Sequence, residues 1–265
     1  MAIKLIVTDM DGTLLNDKKE MDPDFWSIYK EIEKRNILFA VASGRQVYNI
    51  EKYFSPKKDS IYFVGENGAF VTYRDEILFS DPMDREEVNE LIAHARKGND
   101  MEIILCGERS AYIENDTQWF VDGVSGFFGR FNIVDDLTKV EDNIVKISIY
   151  DYHNPADNSV PYFDFVKDRY KLTASGPEWA DIINLKVNKG EAVKRIQHKH
   201  GIKFEETMVF GDYLNDLEMM KTGAYNYAMK NAHRQLLNQA SYITKNDNNS
   251  GGVVKTIKEV ALNNI

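Results

Sequence analysis

Leu5-Ile6-Val7-Thr8-Asp9-Met10-Asp11-Gly12-Thr13-Leu14 is the stretch on which the reading of this 265-residue chain turns. The apolar run Ile3 to Val7 has the length and composition of a buried strand. It ends abruptly in two carboxylates one residue apart, followed at once by Gly12 and Thr13. In an open α/β sheet, chemistry collects just beyond the carboxyl ends of the strands. Two acids delivered there by one strand point to a metal site or an acid–base pair. A plain structural turn would use the same residues, so the rest of the chain has to decide.

Working outward, Asp22-Pro23 supplies an N-cap and an N1 proline. A helix over 24–35 then carries Phe25, Ile28, Tyr29 and Ile32 at helical spacing. The apolar run 37–42 is a second strand, closed by Ser43-Gly44-Arg45. A helix over 46–54 follows, and a third strand over 61–64 ends in Gly65-Glu66-Asn67-Gly68. This alternation implies a parallel sheet with right-handed crossovers. The segments 69–73 and 76–79, around Arg74-Asp75, alternate like a hairpin.

The texture changes at Asp81-Pro82. Helices over 84–97, 116–128 and 160–169 are interspersed with strands over 101–106, 110–114, 144–150, 171–175 and 181–187, without strict βα order. That pattern is α+β. Its aromatics, including Tyr112, Trp119, Phe120, Phe127, Phe128 and Trp179, read as core packing. From Lys189 the βα rhythm returns, with a helix to His200, a strand over 207–210, shorter elements to 244 and a terminal helix over 253–262. The expectation is a parallel-sheet α/β core built from residues 1–81 and 187–265, with residues 82–186 inserted as a second domain.

Composition narrows the function. With 43% hydrophobic and 28% charged residues the chain is that of an ordinary globular protein. The net charge of −9 argues against nucleic acid or an anionic membrane as a partner. No apolar run reaches membrane-spanning length, and the first residues lack a signal-peptide pattern. The single cysteine, Cys106, lies in an apolar run, permits no internal disulfide and fits a reducing cytoplasm. A monomer is the default expectation.

Four element ends carry candidate functional residues. Ser43 and Gly44 are either a helix N-cap or an anion site of hydroxyl and backbone N–H groups. Lys189 opposes the dipole at the start of its helix, which an adjacent anion would explain. Asp216 could cap the short helix after it, or Asp212, with Asn215 and Asp216 three and four residues on, could hold a hard cation through oxygen. The five histidines form neither a triad nor a zinc pattern, and there is no Walker A loop or Gly-x-Gly-x-x-Gly fingerprint. Together the four groups have one coherent use: a cation on Asp9 and Asp212 neutralises a phosphate whose other oxygens meet Ser43, backbone N–H groups and Lys189.

In this order, Asp9-Met10-Asp11-Gly12-Thr13, Ser43, Lys189 and Gly211-Asp212 with Asn215-Asp216 resemble the four motifs of the haloacid dehalogenase-like superfamily. Ser43-Gly44-Arg45, Glu66-Asn67-Gly68-Ala69, Asn188-Lys189-Gly190 and Gly251-Gly252-Val253 resemble its Cof-type (IIB) branch. The resemblance implies a Rossmann-like core with a mobile cap. Asp9 and Ser43 are 34 residues apart, room for one βαβ step, whereas Ser43 and Lys189 are 146 apart, so the cap lies between them. It further implies a Mg²⁺-dependent phosphatase for small phosphorylated metabolites, most of all sugar phosphates. Asp9 would be the nucleophile and Asp11 the acid and base. Asp9, Asp11 through its carbonyl, Asp212 and Asp216 would attend the metal, and Ser43, Gly44, Lys189 and Asn215 the phosphate. A phosphomutase is the nearest alternative, and a non-catalytic phosphosugar sensor a more distant one. Arg109, Tyr112, Asn115 and Trp119 are conceivable specificity residues, with nothing in the sequence to select them over packing.

Overall fold

The computed structural model describes residues 2–98 and 100–262. In chain order the elements are β1 (Leu5–Thr8), α1 (Phe25–Lys34), β2 (Leu38–Ala42), α2 (Val47–Tyr53), β3 (Ile61–Gly65), β4 (Phe70–Tyr73) and β5 (Glu76–Ser80). There follow α3 (Arg85–Ala95), β6 (Met101–Gly107), β7 (Ala111–Ile113), α4 (Gln118–Phe127), β8 (Phe131–Ile133), β9 (Ile144–Asp151), α5 (Ser159–Tyr162), β10 (Tyr170–Ala174) and β11 (Trp179–Asn184). The last third gives α6 (Lys189–His200), β12 (Thr207–Gly211), α7 (Leu217–Met220), β13 (Tyr225–Ala228), α8 (Arg234–Gln239), β14 (Tyr242–Ile243) and α9 (Gly252–Thr256), which runs on as a π-helix over Ile257–Leu262.

The chain divides into two compact units. The first comprises residues 1–44, 54–76 and 188–265, the second residues 45–53 and 77–187. The major sheet has the order β14-β13-β12-β1-β2-β3-β4-β5 and is parallel from β14 to β3, as the α/β reading expects. β1 lies at its centre, pairing with β12 on one side and β2 on the other. All four of its residues are buried, which is what a continuous apolar run with no polar alternation requires. β4 returns antiparallel to β3, and Arg74 and Asp75, both at positive φ, make the tight turn into β5. Phe25 and Tyr29 of α1 pack on Phe39, and Phe25 also meets Phe54 edge-on, covering one face of the sheet.

The second unit is built on a six-stranded sheet of order β10-β11-β9-β6-β7-β8, antiparallel except for β7–β8. One face packs Ile103, Leu105, Ile147 and Ile149 against Val88, Leu91 and Ile92 of α3. The other packs Ile104 and Cys106 against Phe120, Val124 and Phe128. Cys106 is buried, as its apolar surroundings in the sequence suggest. Residues 45–53 belong to this unit, where Gln46 and the Arg130 backbone exchange two hydrogen bonds of 2.9 and 3.0 Å and the Arg130 guanidinium stacks on Tyr48. The sequence division at 82 and 186 does not include this segment.

Several local expectations are corrected. The regular helix α1 starts only at Phe25, and Asp22 caps the turn ahead of it, its side chain accepting the Asp24 N–H at 2.9 Å. The helix over 160–169 is broken into α5 and a 3₁₀ turn over Asp164–Val166. β8 is a strand the sequence reading lacked. Trp119 and Phe127 are about half exposed, so these two are not core.

Candidate active site

The first unit brings Asp9, Lys189, Asp212 and Asp216 together at the carboxyl ends of β1 and β12. The Asp9 N–H donates to the Phe210 carbonyl at 2.9 Å, carrying the ladder one residue beyond β1 and fixing where the aspartate leaves the sheet. Asn188 caps α6 by accepting the Glu191 N–H at 2.9 Å, and this sets Lys189 as the first helical residue.

The Lys189 ammonium lies 2.6 Å from Oδ1 of Asp9 and 2.7 Å from Oδ1 of Asp216, and the lysine has no exposed surface. Asp216 is sealed as well. Its Oδ2 accepts the backbone N–H groups of Asp212 and Tyr213 at 3.0 and 3.2 Å, closing the loop after β12 into a turn. Asp212 is steadied by Thr13, whose hydroxyl donates to Oδ1 at 3.0 Å. Gly12, at φ +77°, passes so close that a Cβ there would sit 2.4 Å from Asp212 Oδ2. A side chain at this position is therefore excluded by contact as well as by conformation.

Asp9, Asp212 and Asp216 each offer a carboxylate oxygen within 4.8 Å of the others, a set that could hold a metal ion. All donors are hard oxygens, which suits Mg²⁺ or Ca²⁺ and not zinc. Three acids against one lysine leave an excess of negative charge, and the protonation equilibria express it. Burial raises the Asp9 carboxyl well above its ordinary range; Lys189 opposes this, while Asp216 and Asp212 reinforce it. Asp212 is pushed up to about 6, by burial first and by Asp216 next. Burial works against the Lys189 ammonium, but Asp216 and Asp9 outweigh it and hold its pKa above the usual lysine value.

Asp11 stands outside this acidic trio. Its carboxylate meets the Lys19 ammonium at 2.8 Å and is about one-third exposed. Ser43 is buried at the end of β2, and its carbonyl accepts the Asn67 N–H at 3.0 Å. Asn67 in turn accepts the Asn215 side-chain amide at 3.1 Å and stands against Gly44, 3.1 Å from where a Cβ would be. Thus Ser43, Gly44 and Asn215 are joined through Asn67, which the sequence marks as part of the polar end of the third strand without giving it a role. The turn that carries it is unusual, since Glu66, Asn67 and Gly68 all have positive φ. Gly68 packs against the start of α6 so tightly that a Cβ would lie 2.3 Å from the Asn188 carbonyl oxygen. Thr13 and Asn67 are positioning residues to which the sequence gives no role. Both stand among polar residues just past an apolar strand and within the quoted motifs, and only the fold shows what they touch.

A family model for haloacid dehalogenase-like hydrolases matches residues 6–257. The chain is 30% identical to the 5-amino-6-(5-phospho-D-ribitylamino)uracil phosphatase YbjI of Escherichia coli (strain K12), over 98% of this chain and 97% of that one. It is 25% identical to the HMP-PP phosphatase of Enterobacter sp. (strain 638), over 91% and 89%. Among solved structures, SMU.1108c from Streptococcus mutans UA159 superposes with a TM-score of 0.84 at 29% identity, over 97% and 98%. A match over nearly the full length, with the acidic trio and its lysine in place, leaves one assignment: the chain belongs to the haloacid dehalogenase-like hydrolases and is a phosphoric monoester hydrolase of that family.

Proposed function

We propose that this phosphatase hydrolyses small phosphorylated metabolites, sugar phosphates above all, through an aspartyl-phosphate on Asp9. The observation that carries the reading is the Lys189 ammonium bridging Asp9 and Asp216 beside Asp212. In this mechanism an Asp9 carboxylate oxygen attacks phosphorus, the bond to the leaving oxygen breaks with its electron pair on that oxygen, and Asp11 supplies the proton. Asp11 then takes a proton from the water that attacks the aspartyl-phosphate, so both side chains return to their starting states. Ser43, the Gly44 N–H, Lys189 and Asn215 bind the phosphoryl oxygens.

The all-oxygen trio fits Mg²⁺, which takes one or two carboxylates and completes its shell with water and phosphate oxygen. Asp9, the Asp11 carbonyl and Asp212 would hold it. Asp216, already committed to Lys189 and two amides, supports the site from beside it. When bound, the cation offsets the excess carboxylate charge and favours the approach of a dianion. Residues 82–186, the inserted segment, carry the choice of substrate in this reading. The relatives' names agree with small phosphate esters as a class, one a ribityl phosphate and one HMP-PP.

The test is phosphate release from para-nitrophenyl phosphate with and without Mg²⁺, followed by a panel of sugar phosphates, nucleotides and pyridoxal phosphate. Full activity in Asp9→Asn would overturn the mechanism, and a panel turned over at one uniform low rate would overturn the substrate class.

A further inference from the structure

Three asparagines from the last third of the chain fasten the loop that carries Asp11. Asn231 donates its side-chain amide to the Gly12 carbonyl at 2.8 Å. Its own amide oxygen accepts the Asn248 backbone N–H at 3.1 Å. Asn248 then donates to the Leu15 carbonyl at 3.2 Å and to Oδ1 of Asp17 at 3.0 Å. Asn249 completes the seam by exchanging two bonds with Asp17, of 2.9 and 3.0 Å. Residues 12, 15 and 17 are thereby held to two linked segments, one after β13 and one after β14.

The turn beyond them is fixed from within. The Asn16 side-chain oxygen accepts the N–H groups of Lys18 and Glu20, both at 2.9 Å. Lys19 adopts a left-handed conformation, φ 63°, and its ammonium comes back to Asp11. The seam therefore reaches Asp11 by two routes. It grips the carbonyl of Gly12, the residue after Asp11, and it anchors the start of the turn that returns Lys19 to Asp11.

A purely structural role explains this poorly at Asn231. That residue is exposed, so water would satisfy the Gly12 carbonyl equally well if only desolvation were at stake. What water cannot supply is a fixed direction. Proton transfer is sensitive to it, because an acid must lie within hydrogen-bond reach of the oxygen it protonates.

We propose that Asn231 and Asn248 are positioning residues that hold Asp11 in line with the leaving oxygen. The inference rests on Asp11 being the acid of the proposed mechanism. As the bond from phosphorus to the leaving oxygen breaks, the Asp11 proton passes to that oxygen and Asp9 forms the new bond to phosphorus. A misdirected Asp11 matters most when the leaving group is basic and needs that proton.

The experiment compares kcat/KM for phenyl phosphate and para-nitrophenyl phosphate, similar esters whose leaving groups differ in basicity, in Asn231→Ala, Asn248→Ala and Asp11→Asn. The expected result is a loss of about tenfold on phenyl phosphate in both asparagine variants, against less than about threefold on para-nitrophenyl phosphate. Equal losses on the two esters, or none, would overturn the proposal. Asn231→Ala alone decides the matter if Asn248→Ala does not fold, because Asn231 is at the surface. Asp11→Asn separates the two levels: if it depresses both esters equally, the acid role has failed and not merely the seam that supports it.

Discussion

The Lys189 ammonium touches Asp9 and Asp216 at once, and no part of the lysine reaches solvent. A buried cation with two carboxylate partners is balanced only as a set, so removing one member leaves charge stranded in a poorly polarisable surrounding.

Lys189→Met should lose all measurable phosphatase activity and about 3–5 kcal/mol of stability at neutral pH. Part of that loss should return at acid pH, where the Asp9 carboxyl, already raised by burial, takes up a proton. Urea denaturation at the two pH values measures both effects. A variant as stable as wild type at neutral pH would mean that the bridge contributes nothing.

The raised pKa of Asp212 makes stability depend on pH in a definite direction. An aspartate in the unfolded chain titrates near 4, whereas in the folded protein it titrates at about 6. Between these values the native state keeps a proton that the unfolded state has released. Stability contributed by this residue therefore falls as pH rises from about 4 through about 6, and is flat above. The difference in unfolding free energy between wild type and Asp212→Asn, taken in chelator, isolates the effect from the other carboxyls. Excess Mg²⁺ should flatten the wild-type slope, because a bound cation favours the charged form. An increase with pH across this window would contradict the assignment.

Much of this site was legible before any fold was built. Continuous apolar runs marked β1, β2, β3 and β12 as doubly covered strands, and the polar residues that end them converge in space. What was not legible depends on contacts distant in sequence. Asn231 has no local pattern that points to Gly12. Residues 45–53 read as one more crossover helix, because the two hydrogen bonds exchanged between Gln46 and the Arg130 backbone join positions 84 apart. β8, with two of its three residues exposed and Asn132 at its centre, lacks the alternation that would announce a strand. Trp119 and Phe127 depart from the core expectation because an aromatic side chain signals burial only on average.

Thr13→Val should weaken the cation site without dismantling it. The variant keeps the side-chain shape but deletes the hydroxyl that Asp212 accepts at 3.0 Å. Outer partners of this kind are worth about 10–100-fold in metal affinity. The Mg²⁺ concentration for half-maximal activity should rise accordingly, with kcat at saturation little changed, and a thermal-shift titration with Mg²⁺ should move in parallel. An unchanged half-saturation would remove Thr13 from the site.

Gly68→Ala tests the turn beneath Asn67. Its φ of +105° and the 2.3 Å approach to the Asn188 carbonyl oxygen give the new methyl nowhere to go. The expected cost is about 1–3 kcal/mol or more, with activity falling further than stability accounts for, since the displaced residues adjoin Lys189. Urea midpoints and kcat/KM on the same preparation compare the two.

Cys106 offers a probe of the second unit. The thiol is 1% exposed and is the chain's only cysteine, so a thiol reagent reports opening of the core around Phe120 and Val124. Labelling should be slow in the native protein and should accelerate across the urea transition of that unit. Prompt stoichiometric labelling would show the core to be open.

The central place of β1 has a consequence for how the protein is made. Its partner on one side is β2, close behind it in the chain, but its other partner is β12, with Leu5 opposite Thr207. About 200 residues must leave the ribosome between them, which at ordinary rates of synthesis takes about 10–40 s. For that interval the edge of β1 that β12 will cover has no partner from this sheet, the kind of surface that invites pairing with another chain. The order of the genetic message thus opens a need for protection when β1 emerges, and closes it only when β12 arrives.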